Sequence, residues 1–527
     1  LNCDRRNFIK GLAGSLLSLK MPTVFSGPLP DAFWSYDQSR RIATVVAESA
    51  LHTARLYGCQ FSDIRICWIL KERIISRENR IEELGGSFES GIGIRVLFEG
   101  TWGFASSNLL DPNEAAEKTK EAVEVAKKCL KLNPRRVELE KLPQIQGQWH
   151  QDVLVDPFGV PLEEKTSFLL DLNDKAIKAG ADFCRSFFLF HKELRIYASS
   201  IGSWIEQTFL RTYPKFIVTV VDKKEGKFES RSSFEPPKSG GLEIIEKKAF
   251  EREVVEATHQ AKEKLHAKSV VPGIKDLVLH PTNLWLTIHE TIGHSTELDR
   301  VMGLESNYAG TSFLKVDQLG NFDFASPIVT IRADRNQPGG LASVGYDDDG
   351  IPSSWSDFLI IEKGILKNFQ MAIGQAHWIG KEKSNGCSYA QSYNFFPIQR
   401  MPNISLVPSE KKEQLKDLIS GVEDGIYIIG DGSWSIDQQR YNFQFGGQLF
   451  YEIKNGEIRQ MLRDVIYQGN TQSFWKSCDG ICSKEEYKLC GTLFCGKGEP
   501  SQSAPVSHGA VPARFRNITI LNSRLHS

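Results

Sequence analysis

A chain of 527 residues has room for two to four domains, and a hydrophobic content of 41% is enough to fill their cores. Its 64 Lys plus Arg stand against 65 Asp plus Glu, a net charge of −1 that removes nucleic acid as the default partner. Ten cysteines are too few for a disulfide scaffold, and no apolar run reaches the ~18 residues of a membrane-spanning helix.

In chain order, Asp4-Arg-Arg-Asn-Phe-Ile-Lys10 and the moderately apolar run from Gly11 to Leu19 read as a twin-arginine export signal, which sets residues 1–30 apart and points to a periplasm. A plain basic segment on a cytoplasmic protein is the alternative. Helical periodicity over Arg40 to Tyr57 precedes strand-like Asp63 to Leu70 and further strands through Phe104. Asp111-Pro-Asn-Glu114 then supplies an N-cap, a proline at the first helical position and an acid at the third, for a helix over Ala115 to Leu130 that Asn133-Pro134 stops. These elements make a first α/β domain, 31–134.

Residues 135–240 carry a helix near Glu163 to Ala179 and alternating segments at Ser186–His191, Glu193–Ala198 and Lys215–Val221, the pattern of a half-buried antiparallel sheet in a second α+β domain. Pro236-Pro237 and Ser239-Gly-Gly241 mark its end, and a helix from about Glu246 to Ala267 leads into a third region, 241–527. There the pattern is short strands between glycine turns, among them Gly425–Ile429, Gly447–Ile453 and Asn517–Leu521. Asp347, Asp348 and Asp349 lack the rest of a calcium loop and are expected to form a turn at or near the active site.

The chemistry concentrates in Ile288-His-Glu-Thr-Ile-Gly-His-Ser295, preceded by the strand-like Leu277-Val-Leu279 and a helix start that Thr282 or Asn283 can cap. Two imidazoles beside a carboxylate are the parts of a hydrolytic metal site, with His289 and His294 as ligands and Glu290 as general base. The spacing is i, i+5, and in a regular α-helix five residues turn by about 500°, leaving the rings roughly 140° apart. A π-bulge or terminating turn between Thr291 and Ser295 is therefore expected, with Gly293 giving the backbone its freedom. A zinc site needs a further ligand. The richest source is Cys478-x3-Cys482-x7-Cys490-x4-Cys495, which could also form a four-cysteine site of its own or, in part, disulfides.

At this point the chain resembles the TldD/PmbA peptidases over most of its length. Gly91-Ile-Gly-Ile-Arg-Val-Leu-Phe-Glu-Gly-Thr-Trp-Gly-Phe-Ala-Ser106 resembles their first-domain signature, and His289 to His294 with Tyr308-Ala-Gly-Thr-Ser312 resembles their catalytic helix and following loop. Gly345 to Gly350, Gly364 to Lys367 and Arg400-Met-Pro-Asn403 follow in the family's order, and Cys495-Gly-Lys-Gly-Glu499 is similar to a C-terminal Cys-Gly-Lys-x-Gly-Gln. The resemblance implies Zn2+ held by His289, His294 and Cys495, with Glu290 as base. It also implies a subunit that dimerises with itself or with a paralogue of the same fold and encloses a cavity reached by unfolded peptides. The chain departs from the family at Glu499 and in the Ser-Thr-Glu-Leu that follows His294.

The fold class expected is α+β, with N-terminal α/β domains followed by a β-rich C-terminal catalytic domain that buries a zinc-binding helix. The function expected is a zinc peptidase acting on unfolded or small peptides. The alternative is a non-enzymatic peptide-binding partner subunit with a structural zinc.

Overall fold

The computed structural model describes residues 36–133 and 135–524, so the twin-arginine segment at residues 4–10 lies outside the described residues. Two large sheets dominate, each with its own core, and the mixed α and β content follows the expected class.

The first sheet has eight strands: β1 (Phe61–Arg77), β2 (Arg80–Phe98), β3 (Thr101–Ser107), β4 (Gln146–His150), β5 (Phe183–Ser199), β6 (Trp204–Asp222), β7 (Lys227–Ser232) and β8 (Lys238–Ser239). Their order is β3-β2-β1-β5-β6-β4, with β7 and β8 also on β6. Alternation sorts the two faces. Ile64, Ile66, Ile92, Ile94, Leu194 and Ile196 lie in one core with helices α1 (Tyr36–Leu56) and α2 (Pro112–Cys129). Farther along, Cys184, Phe216 and Val218 pack on α3 (Leu162–Lys178) and α4 (Lys247–His266). Helix α2 starts as its sequence dictates: Asp111 accepts from the amides of Asn113 and Glu114, and Pro112 takes the first position.

Strand pairing and helix packing cross both internal divisions. Strand β1 pairs with β5 antiparallel from Asp63↔Ser199 to Arg77↔Arg185, so residues on either side of the 134/135 division share one sheet. Helix α4 shares a core with β6, placing 247–266 with the first sheet rather than with the third region. Strand pairing at long sequence separation leaves no mark in local composition.

The other face of the first sheet is charged and buried, because the C-terminal body covers it. Arg65 donates to the Phe395 carbonyl at 2.8 Å, Arg95 to Asp349 at 2.8 Å, and Tyr197 to the Asp349 carbonyl at 3.1 Å, while Arg195 pairs with Asp348. The three aspartates do form a turn, with the Gly350 amide on the Asp347 carbonyl at 3.1 Å, and Asp348 and Asp349 serve this junction. Glycines of the first-domain signature permit the contact, since a Cβ on Gly93 would lie 2.0 Å from the Tyr393 carbonyl oxygen.

The second sheet runs in the order Trp434–Ile436, Asn442–Phe445, Val465–Asn470, Ala513–Asn522, Gly273–Leu279, Asp424–Ile429, Leu449–Lys454, Glu457–Arg463, Lys268–Ser269, with Cys478–Ile481 also on Ala513–Asn522. Gly273–Leu279 is central, antiparallel to Ala513–Asn522 and parallel to Asp424–Ile429. Its last residues, Leu277, Val278 and Leu279, are fully buried and deliver the chain into the histidine segment.

Candidate metal centre

A helix over Pro281–Thr287 leaves the central strand at once. Its cap is His280, whose Nδ1 accepts from the Thr282 amide at 3.2 Å, rather than Thr282 or Asn283. Asn283 is used elsewhere: its amide nitrogen donates to the carbonyls of Gly430 and Gly446 at 2.9 and 2.8 Å, and its oxygen accepts from Tyr467 at 2.9 Å. The Tyr467 hydroxyl, its proton committed, receives Thr287 Oγ1 at 2.8 Å. Both ends of the short helix are thereby held to the sheet.

At Ile288 the helix widens into a π-helical turn, Ile288–Gly293, and then tightens into a 3₁₀ turn, His294–Thr296. The His294 amide donates to the His289 carbonyl, an i→i+5 bond between the two histidines of the motif. That bond solves the spacing problem, because it stacks residues five apart. The imidazoles meet with centroids 4.7 Å apart at 75°.

Cys495 arrives from a hairpin of Lys488–Lys497 and Gln502–Ala510, whose register shifts between Thr492 and Cys495. Such a bulge re-aims a side chain, and Cys495 Sγ comes to 3.6 Å from His294 Nε2. Arg400 donates to the Cys495 carbonyl and, at 3.1 Å, to that of Gln502, which secures the strand. Donor atoms of His289, His294 and Cys495 all lie within 4.8 Å of one another, and the three residues are buried. They are the one such grouping among the described residues.

The protons are arranged for a cation. His508 Nδ1 faces the Ile404 carbonyl at 2.9 Å and must carry the hydrogen, because a carbonyl only accepts. Burial and the neighbouring His289 hold the His508 imidazole well below its usual range, so its Nε2 keeps a lone pair. That lone pair lies 2.7 Å from His289 Nδ1, which therefore donates and leaves His289 Nε2 bare. His294 repeats the logic with a charged acceptor, its Nδ1 donating to Glu297 Oε2 at 2.9 Å. Burial lowers both motif imidazoles, His294 strongly, so both are in the neutral, ligating form. Burial also raises the Cys495 thiol, which a bound cation would reverse. Two oriented imidazoles and one thiol fit a borderline-soft divalent metal with a position left for water.

Charge around the cluster is heavily compensated. Burial by itself would raise the Glu297 carboxyl, but Lys497, His294 and Arg300 hold it well below the usual carboxylate range. Lys497 Nζ lies 3.2 Å from Glu297, 2.8 Å from Asp299 and 2.9 Å from the Gln399 carbonyl. Glu290 is buried, and Arg440 Nη1 donates to its Oε2 at 2.6 Å. The Tyr308–Ser312 loop closes one side, with Ser312 on the Ser295 carbonyl at 2.6 Å and the Ala309 carbonyl receiving both Arg300 and Arg440.

Three of the expected residues, His289, His294 and Cys495, thus gather in one place, and Glu290 directly follows His289 in the same buried turn. Cys478, Cys482 and Cys490 do not join them: they are buried free thiols, Cys478 and Cys482 in the main core and Cys490 against Trp285 and Leu286. Sequence reading missed His508, Glu297, Lys497 and Arg440. Glu297, three residues after His294, had a helical-spacing signal, whereas His508 stands 219 residues from His289 and had none.

Known proteins resemble this chain over most of its length. The model of the PmbA/TldA metallopeptidase C-terminal domain matches residues 272–521, and that of PmbA/TldA metallopeptidase domain 1 matches 62–127. A metalloprotease of Methanocaldococcus jannaschii is 27% identical over 454 residues, covering 85% of this chain and 94% of that protein. A zinc metalloprotease TldD homolog of Saccharolobus solfataricus is 24% identical over 474 residues, covering 88% and 97%. The crystal structure of TldE from Thermococcus kodakarensis superposes with a TM-score of 0.66 at 16% identity, over 90% of this chain and 99% of that one. With two domain models of one family in sequence order and relatives matched nearly end to end, the chain belongs to the PmbA/TldD family of metallopeptidases.

Proposed function

We propose that this protein is a zinc-dependent peptidase of unfolded or small peptides, with zinc held by His289, His294 and Cys495 and Glu290 as general base. The observation that carries the reading is the pair of hydrogen-bond relays, His289 to His508 and His294 to Glu297, which leave the two Nε2 lone pairs with no partner among the described residues but the Cys495 thiol, on His294. Zinc, when bound, supplies a Lewis acid that acidifies water and polarises a carbonyl.

The remaining work falls to the chain. Glu290 takes a proton from the attacking water as the C–O bond forms and returns it to the amine nitrogen as the C–N bond breaks. His508 and Glu297 hold the imidazoles in one tautomer and one orientation. Pairing with itself or a paralogue, and export through the Asp4–Lys10 signal, complete the reading.

The test is zinc per subunit and hydrolysis of an unfolded peptide, for the native chain and for Cys495→Ser purified identically under reducing conditions. About one zinc per native subunit, lost in the variant together with hydrolysis, is the expected result. Zinc retained in the variant would remove Cys495 from the site. Zinc bound without hydrolysis, and insensitivity to a hydroxamate, would favour a structural zinc in a peptide-binding subunit.

A further inference from the structure

We infer that Arg440 is a catalytic residue of this site: on substrate binding its guanidinium exchanges Glu290 for the peptide carbonyl oxygen and stabilises the oxyanion formed there. The inference rests on the peptidase reading and names a group that reading leaves open.

Among the described residues four buried or half-buried cations surround the cluster, and three are held by other groups out of reach of solvent. Arg300 is fully buried on Glu297 and the Ala309 carbonyl. Arg400 is buried with both terminal nitrogens on the carbonyls of Cys495 and Gln502, and although its Nε also lacks a partner, it makes no contact with Glu290. Lys497 is fully buried on Glu297, Asp299 and Gln399. Arg440 differs in being 14% exposed at its side chain, so a ligand can approach it from solvent. Its Nη1 holds Glu290 at 2.6 Å and its Nη2 the Ala309 carbonyl at 3.2 Å, while its buried Nε has no partner. It therefore has one donor in reserve and another on the group that must change charge during the reaction.

The backbone has been built to hold it there. Arg440 adopts φ +63, a left-handed conformation that costs a β-carbon-bearing residue ~1–2 kcal/mol. Its amide donates to the Asp437 carbonyl at 3.0 Å, Thr471 Oγ1 donates to its carbonyl at 2.7 Å, and the Asp437 carboxylate receives the amides of Tyr441 and Asn442 at 2.8 and 2.9 Å. Strain over-determined by so many bonds is characteristic of positions held for function.

The charge balance of the reaction gives the exchange its reason. When the water oxygen bonds to the carbonyl carbon, its proton passes to Glu290, whose negative charge disappears as one develops on the carbonyl oxygen. Arg440 loses one anion and gains another within the same step, keeping its own protons throughout. A thiolate donor weakens the electrophilicity of a bound cation, so a second positive group at the oxyanion has a task that the metal alone serves poorly.

The experiment compares zinc-loaded wild type, Arg440→Ala and Arg440→Lys in zinc content, peptide hydrolysis and affinity for a phosphinic pseudopeptide, whose tetrahedral anion mimics the oxyanion. Expected for Arg440→Ala are unchanged zinc, a kcat lower by ~10²–10³-fold with KM nearly constant, and a phosphinic affinity reduced by a similar factor. Guanidinium chloride should restore part of the Ala variant's activity, and Lys should retain part. A kcat within about threefold of wild type, zinc lost in step with activity, or equal phosphinic affinity would overturn the assignment. If wild type hydrolyses nothing, the peptidase reading falls, and phosphinic binding alone still decides Arg440: weaker in the variant supports the contact, equal refutes it.

Discussion

His508 Nε2 and His289 Nδ1 face each other at 2.7 Å, a contact between two imidazoles that share a single hydrogen. The Ile404 carbonyl on the far side of His508 decides which ring supplies it. A partner that orients a metal-binding histidine is commonly worth about 10–100-fold in metal affinity. His508→Phe should lose zinc affinity by that order in chelator competition, and His508→Gln, which keeps an acceptor, should lose less. Phe binding zinc as tightly as wild type would mean that the relay does not position His289.

Gly293 has ordinary helical angles, φ −52 and ψ −61, so the π-helical turn does not draw on glycine's conformational freedom as its sequence position suggests. Its role is space: an added Cβ would lie 2.6 Å from Met401 Sδ and 3.1 Å from its Cε. Overpacking of this kind costs ~1–3 kcal/mol. Gly293→Ala should therefore destabilise by that amount in urea unfolding, and Gly293→Ala with Met401→Ala should cost less than the sum of the two singles. Strict additivity would show that the two residues do not compete for the same volume.

Burial, with Lys488 adding to it, lowers the His280 imidazole from 6.5 to about 3. The lone pair it preserves is the one that caps the metal-site helix. The unfolded chain takes up this proton near pH 6.5 while the folded chain does not until about pH 3. Below pH 6.5 the unfolded state thus binds more protons, and stability falls toward acid across that window by ~1.4 kcal/mol per pH unit for this group, with no dependence above it. In chelator-treated protein, His280→Asn should keep the helix cap and flatten the acid limb of stability against pH by about one proton. An unchanged limb would place the acid sensitivity in other groups.

Much of the molecule is legible locally. Asp111-Pro112 announces the start of α2, and alternation through β1 and β5 announces strands, because capping and pleating depend on residues within a few positions of each other. The five-residue histidine spacing demands a departure from the α-helix, and the π-helical turn supplies it. Only resemblance to the family singles out Cys495, since four nearby cysteines offer no local reason to prefer one.

By itself, then, the sequence determined the elements and the irregular turn between its two histidines, both of which follow from short-range geometry. Only the tertiary structure decided that β1 and β5 make one sheet across the 134/135 division, that His508 sets the His289 tautomer and that Arg440 reaches Glu290. These partners lie 150 or more positions apart along the chain at the metal centre, and nothing short of folding brings their charges and lone pairs within a hydrogen bond of one another.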